Sequence, residues 1–221
     1  VLFLKKIVID PEIHSLTPSF AIGVLLMNVT VGKSEELDQK LSMVEKSLRS
    51  QYTIKDVIHL DVISQGRDAY RAYGRDPSRY RLAVESLFRR IVKGNDLYRI
   101  NNVVDVGNLL SILTHDNVAV LDYDNIQGDI KIRLGREDDE YYGIGRGRFN
   151  VTKIPLYEDE IGPFGSTTSD TERTMIRPDT KNVLLFIISF IGKKPLEEHL
   201  ETAKELYETY CQAKVLEMQI I

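Results

Sequence analysis

Arg99-Ile-Asn-Asn-Val-Val-Asp-Val-Gly-Asn108, then Leu109-Leu-Ser-Ile-Leu113, then Val120-Leu-Asp-Tyr-Asp-Asn-Ile-Gln-Gly128, is the stretch whose reading decides the fold. It passes from polar groups through an apolar, helix-like run into strand-like sequence. Asn101, Asn102, Asp105 and Asn108 are short polar side chains among apolar neighbours. Such side chains compete with the backbone for hydrogen bonds and are costly inside a helix. Two readings follow. They are caps at a helix N-terminus, or they line a pocket where the chain enters the helix. The helix is expected after 101–108 and to end near Thr114.

Upstream, Phe3 to Asp10 has strand character, and Phe20 to Val31 is apolar, rich in β-branched residues and reads as a buried strand. Leu37, Leu41, Val44 and Leu48 recur at helical steps, which predicts a helix over Ser34 to Arg49 with acids in its first turn. A second helix is expected from Ile54 to Tyr73, stopped by Gly74. Asp76-Pro77 reads as an N-cap and first position of a third helix ending at Gly94. On that helix Arg79, Ser86 and Arg90 share a stripe that suits a phosphate or carboxylate, and solvated surface charge is the competing reading.

Downstream, short strands are expected at Val118–Tyr123, Asp129–Leu134, Tyr141–Ile144, Asn150–Leu156 and Val183–Ile191. Gly143-Ile-Gly-Arg-Gly147 lacks the Lys-Ser/Thr of a phosphate loop and reads as a turn or bulge. Gly162 to Thr174 is dense in hydroxyls, with Asp170, Arg173 and Thr174 able to form a polar knot. Pro195 opens a last helix whose Leu196, Leu200, Ala203, Tyr207 and Tyr210 face the core. Strands and helices without regular alternation predict an α+β fold, and no linker divides the 221 residues, so one domain over 1–221 is expected.

Composition narrows function by exclusion. No run approaches the roughly 18 apolar residues of a membrane span, and no signal-peptide pattern opens the chain. Cys211 is the one cysteine, which suits a reducing cytoplasm. His14, His59, His115 and His199 have no zinc spacing, so no metal or cofactor is expected. The net charge of −4 argues against wholesale nucleic-acid attraction and against DNA as a partner. The distribution is uneven, however. Between Arg67 and Arg99, eight Arg and one Lys face four acids, a balance of +5, whereas Pro195 to the end carries −4. Such a basic segment either meets phosphate or is salt-bridged within the protein.

Asn101-Asn-Val-Val-Asp-Val-Gly-Asn108, with Leu121-Asp-Tyr-Asp124 and Gly128-Asp-Ile-Lys-Ile-Arg133, resembles the B-three/B-four domain of the phenylalanyl-tRNA synthetase beta subunit, a tRNA-associated editing module. Gly74-Arg-Asp-Pro-Ser-Arg-Tyr-Arg81, Glu85-Ser-Leu-Phe-Arg-Arg90 and Asp170-Thr-Glu-Arg-Thr174 resemble stand-alone relatives of that domain, over roughly residues 65 to 190. The resemblance implies a β-sandwich-like core of mixed strands flanked by helices. It also implies a pocket in which a mischarged tyrosyl ester on tRNA is hydrolysed. Asn108 would be the catalytic residue, sharing a cavity with a ligand-binding set of Thr167, Thr168, Asp170, Arg173 and Thr174, while Arg79 and Arg90 would meet RNA.

The sequence departs from that family at the site. The signature's Thr is Gly107 here, a His becomes Ala119, and the tyrosine-recognising Glu becomes Phe186. Nothing resembles an aminoacylation core. Two function classes remain. One is a trans-editing hydrolase of aminoacyl-tRNA or a small aminoacyl ester, and the other is a module that binds RNA or an amino-acid-like ligand without turnover. Oligomeric state is not legible.

Overall fold

The structure is a computed structural model and describes residues 2–221. In chain order the elements are β1 (Ile7–Ile9), α1 (Pro11–Leu16), β2 (Ala21–Asn28), α2 (Glu35–Gln51), α3 (Asp61–Tyr73), α4 (Ala83–Val92), α5 (Asn102–Thr114), β3 (Asn117–Asp122), β4 (Ile130–Leu134), β5 (Tyr142–Gly143), β6 (Gly147–Arg148), β7 (Pro155–Glu158), β8 (Pro163–Ser166), β9 (Asn182–Ser189), α6 (Leu196–Cys211) and β10 (Lys214–Ile220). The class is α+β. Four strands in the order β10-β2-β9-β3 form one sheet, four in the order β1-β4-β7-β8 form a second, and β5 and β6 form a separate hairpin.

β2 and β9 are the central strands of the first sheet, and their continuous apolar runs follow from burial on both faces. One face meets helices. A side chain at Gly107 of α5 would strike Val120 of β3, and one at Gly23 of β2 would touch Leu200 of α6. Side chains alternate along a strand, so Ala119 points the opposite way, as does its cross-strand partner Phe186. On that side Phe186 meets Tyr157 of β7, ring centroids 5.2 Å apart at 77°. The two sheets therefore pack face to face there, while α5 and α6 cover the outside of the first. This is a sandwich-like core with flanking helices. The second sheet is mixed, since β1 pairs parallel with β4 and the rest antiparallel.

α5 begins earlier than the sequence suggested. Asn101 is its N-cap, accepting from Val104 N at 2.9 Å, so 102–108 are already helical. Each short polar residue here except Asn108 is spent on the fold. Asn102 accepts from Gly32 N and donates to Thr30 O and Tyr210 O, pinning α5 to the ends of β2 and α6. Asp105 accepts from Ile100 N. Just before them, Arg99 donates to the buried Glu45 of α2 at 2.6 Å. The capping reading accounts for this stretch.

The third helix also differs, in the other direction. α4 starts at Ala83, not at Pro77, and the chain from Asp76 to Arg79 is a turn. Asp76 does cap it, accepting from Ser78 N. The turn is fixed by the buried Arg67, which donates to Pro77 O and Ser78 Oγ and pairs with Glu85. Arg79 therefore lies outside α4 and shares no helical stripe with Ser86 and Arg90. The expected helix from Ile54 is divided too, into a short 3-10 turn at Val57–His59 and α3, closed by Gly74 at φ +91°. Four strands or helices had no counterpart in the sequence reading: α1, the two-residue strand β6, the strand β8 inside the hydroxyl-rich segment, and β10.

Candidate functional site

β8 runs into a turn made almost wholly of hydroxyl residues. Ser166 Oγ accepts from Thr168 N at 3.3 Å and Ser169 N at 3.0 Å and donates to Ser169 O at 2.7 Å. This local network bends the chain at the end of the strand. Thr167 O accepts from Ala83 N, which ties the turn to the start of α4. Tyr70 of α3 is fully buried, and its hydroxyl lies 2.6 Å from Thr167 Oγ1 and 2.7 Å from Thr168 Oγ1. Burial pushes that phenol up to about 12, so it stays neutral and serves as donor and acceptor.

Asp170 follows on the same turn. Its carboxyl lies over Gly165, where a Cβ would come within 2.8 Å of Oδ1 and 2.7 Å of the Tyr157 ring. The glycine is the space the carboxyl occupies. The residue as a whole is half-buried, but Oδ1 is out of reach of solvent and has no hydrogen-bond partner. Loss of hydration disfavours the charged form, and burial pushes this carboxyl up to about 7, against the Ser166 N–H that lowers it. The Asp170 charge in turn raises the buried phenols of Tyr141 and Tyr157, after burial itself. Ser169 Oγ beside it is also buried and unpartnered. Tyr141 donates to Ser169 O, and the β5–β6 hairpin closes over the turn through Ile144 N to Asp170 O at 2.9 Å.

The other residues singled out in the sequence fall elsewhere. Arg173 makes a two-pronged pair with Asp159, both contacts 2.8 Å, and also donates to Asn125 O and Gly162 O. Burial alone would raise the Asp159 carboxyl, and the Arg173 clamp holds it below its ordinary value. The polar knot thus joins Arg173 to Asp159 rather than to Asp170. Thr174 is fully buried and donates to Phe164 O. Asn108 is half-buried on α5, the helix that covers the far face of the first sheet from Phe186 and Tyr157. Ala119 and Phe186, by contrast, do flank the Tyr157 side as cross-strand partners.

Five of the eight arginines of the basic segment pair with acids of the protein itself. Arg67, Arg81 and Arg89 converge on Glu85, Arg71 pairs with Asp68, and Arg99 pairs with Glu45 and Asp38. Arg90 donates to Asp96 O and lies 4.1 Å from the Tyr98 ring centre. Arg75 is different. Its guanidinium lies 3.6 Å from the Tyr80 ring centre at the edge of a cleft of about 650 Å³. Phe149 lines this cleft and stacks edge-on with both Tyr80 and Tyr141. The cleft and the Asp170 turn are thus on two sides of one aromatic wall. Among the described residues no cluster of three or more His, Cys, Asp or Glu is placed to hold a metal ion.

Sequence reasoning found the hydroxyl-rich turn but missed its walls. Tyr70 sits on the same helical stripe as Ile63, Gly66 and Tyr73, so it reads as plain core. Nothing in the local sequence says that its hydroxyl meets two threonines almost a hundred positions away.

Comparison with known proteins fits this architecture. The pattern of the family described as the B3/4 domain matches residues 65–203. No curated protein matches. Among solved structures, an N-terminal fragment of the phenylalanyl-tRNA synthetase beta-subunit from Pyrococcus horikoshii is similar in fold, with a TM-score of 0.51 at 13% identity. The similarity covers 97% of this chain and 52% of that one, so the chain spans about half the length of that fragment. No helix among the described residues is long and apolar enough to cross a membrane.

Proposed function

The chain belongs to the B3/4 domain family, and from that premise we propose that the hydroxyl-rich turn around Asp170 binds the aminoacyl ester of a mischarged tRNA, or a small ester of the same shape, and hydrolyses it. The observation that carries this reading is the buried, unpartnered Oδ1 of Asp170 among serine, threonine and tyrosine hydroxyls. Orphaned polar atoms are costly in a folded protein. A water or ligand group bonded to this one removes that cost.

In this reading Asp170 is the general base. A base near pH 7 combines a useful fraction of carboxylate with enough basicity to take a proton from water. Water adds to the ester carbonyl as Asp170 accepts its proton. The acyl–oxygen bond then breaks, the proton passes to the departing ribose oxygen, and a free amino acid and an uncharged RNA end are released. Thr167, Thr168 and Ser169 shape the pocket, and Ala119 and Phe186 form an apolar wall. Asn108, on the far side of the first sheet, has no part in this scheme. No aminoacylation is proposed. The proposed setting is the cytoplasm, which suits the buried Cys211, whose thiol burial pushes up to about 12.

The test is a deacylation assay on a panel of mischarged tRNAs with wild type, Asp170→Asn and Asn108→Ala. Turnover lost in Asp170→Asn and kept in Asn108→Ala is expected. The opposite ranking restores Asn108 as the catalytic residue. A second reading, a binding module without turnover, is favoured by the Tyr70–Thr167–Thr168 hydroxyls, which bond one another rather than face an open site. Ester binding with no clearance of any species would establish it.

A further inference from the structure

The cleft on the outer side of the aromatic wall has no part in the chemistry above. Three cations line it: Arg75, Arg148 and Lys153. Among the described residues none of the three makes a carboxylate pair, unlike most arginines of the chain. Of the two acids on the rim, Asp139 is held by two bonds from the buried Arg133, 2.8 and 2.7 Å, which also pairs with Glu158 at 2.9 Å. Glu137 and Asp139 oppose, which leaves a net charge of +1 on the lining.

Arg75 is built into place rather than merely exposed. Its face lies on Tyr80, one Nη donates to Asn150 O at 2.8 Å, and its Nε is buried with no partner. A stacked guanidinium with a free donor is pre-organised for a forked contact to an oxyanion. Lys153 is held at a backbone φ of +64°, unusual for a side chain of its kind, with its amine over Gly74. A side chain at Gly74 would come within 3.2 Å of Lys153 Nζ, so the glycine leaves room for it. Phe149, on the same cleft, offers a ring on which a base can stack.

We propose that this cleft is a phosphate subsite, with Arg75, Arg148 and Lys153 gripping a phosphate carried by a nucleotide or an RNA end and Phe149 stacking on its base. The subsite lies across Phe149 and Tyr141 from Asp170. It therefore suits a ligand whose phosphate stays outside the wall while its acyl group reaches the pocket. That last step rests on the function proposed above, whereas phosphate binding itself does not.

The experiment uses uncharged ligands, so it reads the subsite without any deacylation. Inorganic phosphate, AMP and a short single-stranded RNA are titrated against the full chain by calorimetry over a range of salt. Wild type should bind the RNA with a log–log salt slope near 2, as about three contacts at roughly 0.7 each require. Arg148→Glu with Lys153→Glu changes two exposed side chains and should weaken RNA and AMP at least tenfold. Lys40→Glu with Lys46→Glu, the same charge change on the exposed face of α2, should not. Phosphate bound as tightly as AMP means that Phe149 does no stacking and reduces the site to an anion site. Equal loss in both double variants, or no binding of any ligand by wild type, overturns the proposal. Asp170→Asn should bind all three ligands normally, so failure of the hydrolytic reading and failure of this one are separable.

Discussion

The Arg67 guanidinium lies 2.6 Å from the Glu85 carboxylate, with both side chains almost wholly buried. The pair joins α3 to α4, and Arg67 also fixes the turn between them through Pro77 O and Ser78 Oγ. Removing one partner strands the other. Glu85→Ala should therefore cost about 3–5 kcal/mol, whereas the double change Arg67→Met with Glu85→Leu should cost clearly less. Urea unfolding of the three proteins measures this. A Glu85→Ala loss under about 1 kcal/mol would mean that water or the Pro77 carbonyl solvates the Arg67 guanidinium without the carboxylate.

The same pair explains where the sequence misled. Asp76-Pro77 carries a sound helix-start signal, and Asp76 does cap its turn. What cancels the helix is a side chain from ten residues earlier claiming the Pro77 carbonyl, and local sequence does not report that. The long apolar runs of β2 and β9, the helical spacing of Leu37, Leu41 and Leu48 in α2 and the stop at Gly74 were legible because each depends on neighbours in sequence. The site was half legible for the same reason. The hydroxyl-rich turn is local, but the Tyr70, Tyr141 and Tyr157 walls, and the cleft joining Arg75 to Lys153, exist only once distant segments meet. β10 was missed because its residues are half exposed at a sheet edge and carry little apolar periodicity.

Gly107 offers a test of packing with a sign to decide. In an exposed helix Gly→Ala gains about 1 kcal/mol. Here the new Cβ would stand 2.4 Å from Val120 Cγ2 and 3.3 Å from the Tyr207 hydroxyl, inside the core between α5 and the first sheet. Overpacking of that kind costs about 1–3 kcal/mol, so Gly107→Ala should lower the melting temperature. Adding Val120→Ala should recover part of it by opening the space. A rise in melting temperature for the single variant would show that β3 gives way freely. A threonine at this position would meet the same Val120 side chain.

Asp170 ties stability to pH. Its folded pKa, about 7, lies above its ordinary value of 3.8. A raised folded pKa gives stability that is fully present below the unfolded value and is lost as pH rises through the folded one. The loss should run from about pH 4 to pH 7, to a ceiling near 4 kcal/mol for about three units at 1.4 each. Asp170→Asn removes this penalty. It should be more stable than wild type at pH 8 and nearly equal to it at pH 3.5, while deacylation, which needs the carboxylate, rises through pH 7 in wild type and is lost in the variant. Thermal melts at the two pH values decide it. Equal differences at both would mean that the carboxyl titrates normally.

The last prediction concerns which acyl group the pocket takes. On the resemblance drawn from the sequence, Phe186 takes the place of a glutamate that would meet a tyrosine hydroxyl, and it packs edge-on against Tyr157 with no exposure. A tyrosyl group entering here meets an apolar wall and leaves its hydroxyl desolvated and unpaired, at about 1–3 kcal/mol. That is a factor of roughly 5 to 150 in binding. Ala119, the cross-strand partner of Phe186, offers no polar group on the same side either. Wild type should therefore clear small or apolar mischarged esters faster than the tyrosyl ester. Phe186→Gln restores a hydrogen-bonding group without burying a charge. It should shift the kcat/KM ratio toward tyrosyl by at least fivefold, even if total activity falls, because a ratio taken on one protein cancels any loss of folded enzyme. Rapid tyrosyl clearance by wild type, or an unchanged ratio in Phe186→Gln, would remove Phe186 from the specificity of the site and leave selection to the hydroxyl-lined turn at Thr167–Asp170.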